Sequence, residues 1–324
     1  MTRVAQVAQV AVIGAGAWGI ALSIQAARAG ASVSLWARDP ASLDADRCLP
    51  RLPGVRLPPA VDVTGMLPER ADLVLLAVPM QHLRAVAGRL TGQSPLIVCC
   101  KGVERGTALL PGEILDALHR GRPRGVLSGP NFAVEIAAGL PAAAVLACRD
   151  LALAQRLAAS LSGGGFRLYA GADPIGVEIC GAAKNVIAIA AGAAIGAGHG
   201  ENARAALITR GIAELSRLIV ALGGAAETAS GLSGIGDLVL TCTGRASRNF
   251  SLGVELGQGR ELAAILAGRS TVAEGVETAP ALAARAEAAG IDVPIIATVA
   301  ALLTGQIGLE AAKTALLSRP LAIE

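Results

Sequence analysis

Aromatic side chains are almost absent: three Phe, two Trp and one Tyr make up 2% of the 324 residues. The interior must then be built from Ala, Val, Leu and Ile, whose small side chains demand close contacts between helices and strands. Histidine is equally scarce, at three residues. His82 and His119 fall in polar helical stretches and His199 in a glycine-rich loop, so all three are poor catalytic candidates. The six cysteines, at 48, 99, 100, 148, 180 and 242, form no CxxC pair and no zinc spacing, and reduced thiols are the expectation. Charged residues amount to only 16%, the net charge is +3, and no run of Lys and Arg resembles a basic arm. Nucleic acid is therefore not an expected partner. The longest apolar run, Val186 to Gly198, is shorter than the roughly 18 to 20 residues that cross a membrane. The mean hydropathy of +0.57 is spread over many short periodic segments, so no membrane insertion is expected. The N-terminus alternates Val with Ala or Gln without the apolar block and cleavage site of an export signal, and reads as the approach to a strand.

What is present is length for two hydrophobic cores and 40 glycines for tight backbone approaches. The first half alternates short apolar runs with helical patterns. Val7 to Ile13, Gly19 to Ala29 and Ser32 to Ala37 form a βαβ unit. Further strands are predicted at Leu73 to Val78, Leu96 to Cys100, Gly125 to Leu127, Ala142 to Leu146 and Phe166 to Tyr169, with helices at Gln81 to Leu90 and Leu151 to Leu161. After Asp173 strands give way to Ala- and Leu-rich helices over Gly176 to Ala197, Asn202 to Leu222 and Pro280 to Thr304. The expected architecture is an α/β N-terminal domain over residues 1–172 with a Rossmann-like doubly wound parallel sheet, then an all-α substrate-binding and catalytic domain over 173–324.

Gly14-Ala15-Gly16-Ala17-Trp18-Gly19 follows an apolar strand and opens a helix, the context that the GxGxxG dinucleotide fingerprint requires. Gly14 would make the tight turn, Gly16 would admit a pyrophosphate, and Gly19 would let helix and strand pack closely. The amides around Ala17 and Trp18 would then face the diphosphate. The second strand ends at Trp36-Ala37-Arg38-Asp39. A carboxylate there suits the ribose diol of NAD and an arginine the 2′-phosphate of NADP. Arg38 comes first after the strand, which favours NADP, while Asp39-Pro40 resembles the start of a turn.

Two later segments, Cys100-Lys101-Gly102 and Ser128-Gly129-Pro130-Asn131-Phe132-Ala133-Val134-Glu135, follow the fourth and fifth predicted strands, at the carboxyl edge where ligands of a parallel sheet bind. Together with Ala183-Lys184-Asn185-Val186, Asn202-Ala203-Arg204, Gly231-Leu232-Ser233-Gly234-Ile235-Gly236-Asp237, Thr241-Cys242-Thr243 and Ser247-Arg248-Asn249, they resemble the bacterial NAD(P)-dependent glycerol-3-phosphate dehydrogenases. The likeness runs in order from Gly14 to about Glu277.

The resemblance implies that Lys184 is the catalytic acid/base, the group that gives a proton to the ketone oxygen as hydride reaches carbon. It also implies that Lys101 and Gly129 contact substrate, Lys101 lying near the cofactor as well. Asn131 and Ala133 line the same cleft. Asn131 stands where relatives often carry Ser or Thr, and Cys100 replaces a commonly hydroxylated residue. Asp237 would hold Lys184 or a substrate hydroxyl by a charge-assisted hydrogen bond. Ser247, Arg248 and Asn249 offer a hydroxyl, a guanidinium and backbone donors suited to a phosphate dianion. Arg248, Val272 and Glu274 would reach the cofactor. The implied reaction is reduction of dihydroxyacetone phosphate, bound between the domains, to sn-glycerol 3-phosphate in the cytoplasm, feeding glycerophospholipid synthesis with no metal. Apolar helical surfaces are compatible with a homodimer. Another two-domain dehydrogenase, of the 6-phosphogluconate or 3-hydroxyacid type, and a non-catalytic dinucleotide sensor remain as alternatives.

Overall fold

A computed structural model describes residues 7–244, 246–269 and 273–317. It divides into two compact units, one running up to Lys101 and resuming over Pro111–Glu178, the other made of Gly102–Leu110 and the chain from Ile179 onward.

The first unit is built on eight strands: β1 (Gln9–Ile13), β2 (Ser32–Trp36), β3 (Val61–Thr64), β4 (Leu73–Leu76), β5 (Leu96–Val98), β6 (Arg124–Ser128), β7 (Ala142–Cys148) and β8 (Phe166–Gly171). Their order in the sheet is β3-β2-β1-β4-β5-β6-β7-β8. The helices are α1 (Ala17–Arg28), α2 (Leu83–Ala87), α3 (Pro111–Leu118), α4 (Ala133–Ala138) and α5 (Leu151–Leu161). One face of the sheet buries Val10, Val12, Leu35, Leu75 and Leu146 in a single apolar cluster with Ile20 and Ile24 of α1 and Leu157 of α5. Asp150 caps α5 by accepting from the Ala152 and Leu153 amides.

The doubly wound sheet expected from the patterning is present, with two corrections. β7 runs antiparallel to β6. The connection between them carries only the six residues of α4, which rise about 9 Å, less than the ~17 Å of a five-residue strand that a parallel crossover would have to retrace. The chain turns back instead. Secondly, β3 went unrecognised, because Val61-Asp62-Val63-Thr64 is short and flanked by Pro59 and Gly65. Lys101 and Gly129 therefore follow the fifth and sixth strands, one later than expected.

The second unit is helical among its described residues: the greater part of α6 (Pro174–Gly196), then α7 (Gly200–Ala221), α8 (Asp237–Thr243), α9 (Arg248–Gly257), α10 (Leu262–Ala267), α11 (Gly275–Ala288), α12 (Pro294–Leu303) and α13 (Leu309–Leu317). The long helical pattern expected over Pro280 to Thr304 is two helices. Gly290, at φ +70°, ends the first, and Pro294 opens the second at the position where its missing N–H costs nothing.

α6 is long and apolar enough to span a membrane, and most of it is buried inside the protein. Its partner is α9, and the two backbones touch. A Cβ at Gly192 would collide with Phe250 O, one at Gly196 with Val254 O, one at Gly253 with Ile189 O, and one at Gly257 with Ala193 O. Four reciprocal glycines thus set the distance between the helix that carries Lys184 and the helix that begins at Arg248.

Candidate active site

In the first unit the carboxyl ends of the parallel strands are level, since Ile13 pairs with Trp36 and with Leu76, and Leu76 with Val98. The chain leaves this edge at Gly14, whose φ of +115° favours glycine and whose N–H donates to Trp36 O at 3.1 Å. A Cβ on Gly14 would lie 2.8 Å from Ala77 O, and one on Gly19 would collide with Gly14 O. Gly16 differs, because a Cβ there would meet nothing within 4 Å. Its backbone faces open space at the N-terminus of α1, where no side chain caps the amides and no acidic residue occupies the first turn. Trp18 Nε1 is buried without a hydrogen-bond partner. An uncapped helix start, an open glycine and an orphaned donor fit an anionic diphosphate. Ala17 is the first residue of α1. Arg38 is exposed two residues beyond β2.

Lys101 and Gly129 meet in the same unit: Lys101 Nζ donates to Gly129 O at 3.3 Å. Gly129, at φ +158°, lets β6 pass against Ala144, whose Cα would lie 2.8 Å from a Cβ there. Asn131 Nδ2 donates to Ala143 O at 3.3 Å, while Asn131 Oδ1 and Ser128 Oγ are buried without partners. Buried polar atoms in that condition mark a place for water or ligand. Ala133 opens α4 beside them.

The second unit holds the charged centre. A one-turn π-helix, Leu232–Gly236, leads into α8 and delivers Asp237 at its first position. Lys184 Nζ donates to Asp237 Oδ1 at 2.6 Å and to Thr241 Oγ1 at 2.9 Å, and all three residues are buried. Thr241 Oγ1 in turn donates to Asp237 O at 2.6 Å. Next to Lys184, Asn185 Oδ1 accepts from Asn249 Nδ2 at 2.9 Å. Asn249 Oδ1 accepts from the Gly275 N–H at 3.0 Å, and since that partner is a backbone donor, it fixes which end of each amide is oxygen.

Ser247 caps α9 by accepting from the Phe250 N–H at 3.2 Å. Arg248 is exposed at the first helical position, and Arg269 Nη1 donates to its carbonyl at 2.9 Å while pairing with Glu255. Glu274 is half-buried and directly precedes α11. Val272 lies outside the described residues. Burial pushes the Cys242 thiol up to about 12 against the opposing pull of Lys184 and Arg204, and the Cys148 thiol up to about 11. Both thiols stay protonated at neutral pH and offer no nucleophile.

Sequence reasoning missed the roles of Thr241, Asn185 and Arg269 in this geometry. Thr241 was legible in one respect, since it stands four residues after Asp237 on the same face of α8. Arg269 carried no signal, because an arginine past a helix end reads as solvated.

The sequence profile described as NAD-dependent glycerol-3-phosphate dehydrogenase N-terminus matches residues 9–154, and the corresponding C-terminus profile matches residues 173–314. A glycerol-3-phosphate dehydrogenase [NAD(P)+] of Gluconobacter oxydans is 58% identical over 315 residues, covering 96% of this chain and 97% of the relative. One from Acidiphilium cryptum is 55% identical over 318 residues, covering 97% and 98%. Among solved structures, a glycerol-3-phosphate dehydrogenase of Coxiella burnetii aligns with a TM-score of 0.91 at 35% identity, covering 96% of this chain and 99% of that one.

Proposed function

The chain belongs to the NAD(P)-dependent glycerol-3-phosphate dehydrogenase family, and from that premise we propose that it reduces dihydroxyacetone phosphate to sn-glycerol 3-phosphate, reversibly, with Lys184 as the proton donor. The observation that carries the chemistry is the buried Lys184–Asp237–Thr241 cluster. A nicotinamide dinucleotide, when bound, supplies the hydride that converts the C2 ketone to an alkoxide. Gly14, Gly16, Ala17, Trp18 and Gly19 would hold its diphosphate at the N-terminus of α1, and Arg38 would read a 2′-phosphate.

Lys184 gives its proton to the C2 oxygen and takes one back in the reverse direction. Asp237 and Thr241 fix the ammonium rotamer before substrate arrives, so that no reorganisation accompanies the transfer. Ser247, Arg248 and Asn249 would bind the phosphate, with Arg248 supplying the exposed guanidinium and the start of α9 the amides. Lys101, Gly129 and Asn131 are assigned to substrate, Lys101 and Ala133 also to cofactor. Arg248, Val272 and Glu274 complete the cofactor set. A cytoplasmic setting, supply of glycerophospholipid synthesis and a homodimer are inferred from the family; light scattering on the purified protein checks the last.

The test is a substrate panel. Purified protein with NADPH or NADH is given dihydroxyacetone phosphate, and with NADP or NAD is given 6-phosphogluconate and 3-hydroxyacids. Turnover of the triose phosphate to sn-glycerol 3-phosphate alone is the expected result. Turnover of the others instead would move the chain to a different dehydrogenase reaction.

A further inference from the structure

The buried carboxyl on α6, Glu178, takes no part in this chemistry. It is only 6% exposed, and its Oε1 has no hydrogen-bond partner. It stands six positions before Lys184 on one continuous helix. The carboxyl is wedged into a gap that exists because residue 112 is glycine: a Cβ there would lie 2.8 Å from Glu178 Oε1 and collide with an Arg124 guanidinium nitrogen. The neighbouring Val177 is packed with Val126 and Ala147 of the sheet, so this first turn of α6 is seated on β6 and β7.

The charges around it decide which form it prefers. Among the described residues, Arg124 is the cation acting on Glu178 and the Gly112 N–H also favours the ionised carboxyl, while Glu113 and Asp116, both on α3, oppose ionisation. Arg124 is already engaged by Asp116 in a two-pronged ion pair. A second carboxylate beside that neutralised arginine would be a buried charge with too little compensation. Desolvation accordingly raises the Glu178 carboxyl to about 8.

We propose that Glu178 is a positioning residue for Lys184: its neutral carboxyl seats the first turn of α6 in the gap at Gly112, and its ionisation unseats that turn and frays the helix on which Lys184 stands six positions further along. This rests on Lys184 being the acid/base of the reaction. The device makes turnover sensitive to weakly alkaline pH through a group that touches neither substrate nor cofactor.

Two measurements test it. The first is kcat for dihydroxyacetone phosphate reduction against pH in wild type, Glu178→Gln and Asp116→Asn. A group that ionises near pH 8 keeps only about one-tenth of its proton at pH 9, so wild-type kcat should fall up to about tenfold relative to Glu178→Gln, which cannot ionise. Asp116→Asn removes an opposing negative charge and frees Arg124, and should move the wild-type break to lower pH. The second readout needs no turnover: hydrogen exchange of the α6 segment through Lys184, corrected for intrinsic rates, should accelerate above pH 8 in wild type and not in Glu178→Gln. Superimposable kcat profiles and exchange rates would overturn the proposal. If Glu178→Gln does not fold, an unshifted break in Asp116→Asn, whose carboxylate is half exposed, overturns it alone. Altered exchange in a protein that leaves dihydroxyacetone phosphate untouched would separate failure of the functional reading from failure of this one.

Discussion

Lys184 Nζ lies 2.6 Å from Asp237 Oδ1, with the Asp237 residue fully buried and Lys184 8% exposed. Neither charge could be left there alone, since removing one partner of a buried ion pair strands the other. Thr241 joins the pair as acceptor from the lysine and donor to the Asp237 carbonyl, so one helical turn of α8 supplies two groups that hold the ammonium.

Asp237→Asn should therefore lower both stability and kcat. Stability should fall by on the order of 3 kcal/mol for an uncompensated buried charge, read as a drop in melting temperature. Thr241→Val should be milder, at about 1 kcal/mol for one lost hydrogen bond, with kcat reduced and cofactor affinity unchanged. Equal damage from the two substitutions would argue against Asp237 as the main partner.

Gly16 and Gly19 should respond oppositely to alanine. A methyl at Gly16 meets nothing within 4 Å and its φ of −73° suits any residue. Gly16→Ala should keep the wild-type melting temperature and bind NADPH at least tenfold more weakly, as titrated by fluorescence. Gly19→Ala drives its Cβ into Gly14 O, and should lose both fold stability and binding. Unimpaired NADPH binding by Gly16→Ala would show that the diphosphate does not use this turn.

Most of the architecture was legible because its signals are local. The glycine fingerprint, the alternation of apolar runs with helical periods and the loss of strands after Asp173 each depend on neighbouring residues. The reversed β7 was not, since its direction is set by how far a six-residue helix reaches. Nor was β3, whose four residues include an aspartate and a threonine. At the site, Lys184 and Asp237 were readable only through a family likeness; their 53-residue separation leaves no periodicity to connect them. The α6–α9 crossing was hidden for a similar reason, because Gly192, Gly196, Gly253 and Gly257 gain meaning only in facing pairs.

Glu214 gives a pH dependence of stability. It is 1% exposed and caps α12 by accepting from the Ile295 N–H at 2.7 Å and the Ile296 N–H at 3.3 Å. Desolvation raises its carboxyl from 4.5 to about 7, against the opposing pull of these two bonds. A folded value above the unfolded one means that the folded state binds the proton more tightly. The resulting stabilisation is complete below pH 4.5 and is lost as pH rises through about 7. Melting temperatures of wild type and Glu214→Gln between pH 4 and 8 should converge or diverge accordingly, with the wild type losing stability relative to the variant as pH rises. A constant difference would contradict the assignment.

Arg38 should set the preference between the two dinucleotides. Its side chain is exposed beyond β2 and followed by Asp39. Arg38→Ala should raise KM for NADPH by about tenfold, as expected for one lost charge-assisted contact, and leave KM for NADH nearly unchanged. A parallel change in both constants would remove Arg38 from the 2′-phosphate.

The central claim is that Lys184 supplies the proton for reduction of dihydroxyacetone phosphate, and it is met most directly by following NADPH oxidation with wild type and Lys184→Ala at saturating triose phosphate. Wild type should turn over and the variant should lose a factor of roughly 10² to 10⁴ in kcat, the range for a general acid, while still binding NADPH. A folded, NADPH-binding Lys184→Ala that reduces dihydroxyacetone phosphate at the wild-type rate would contradict the account.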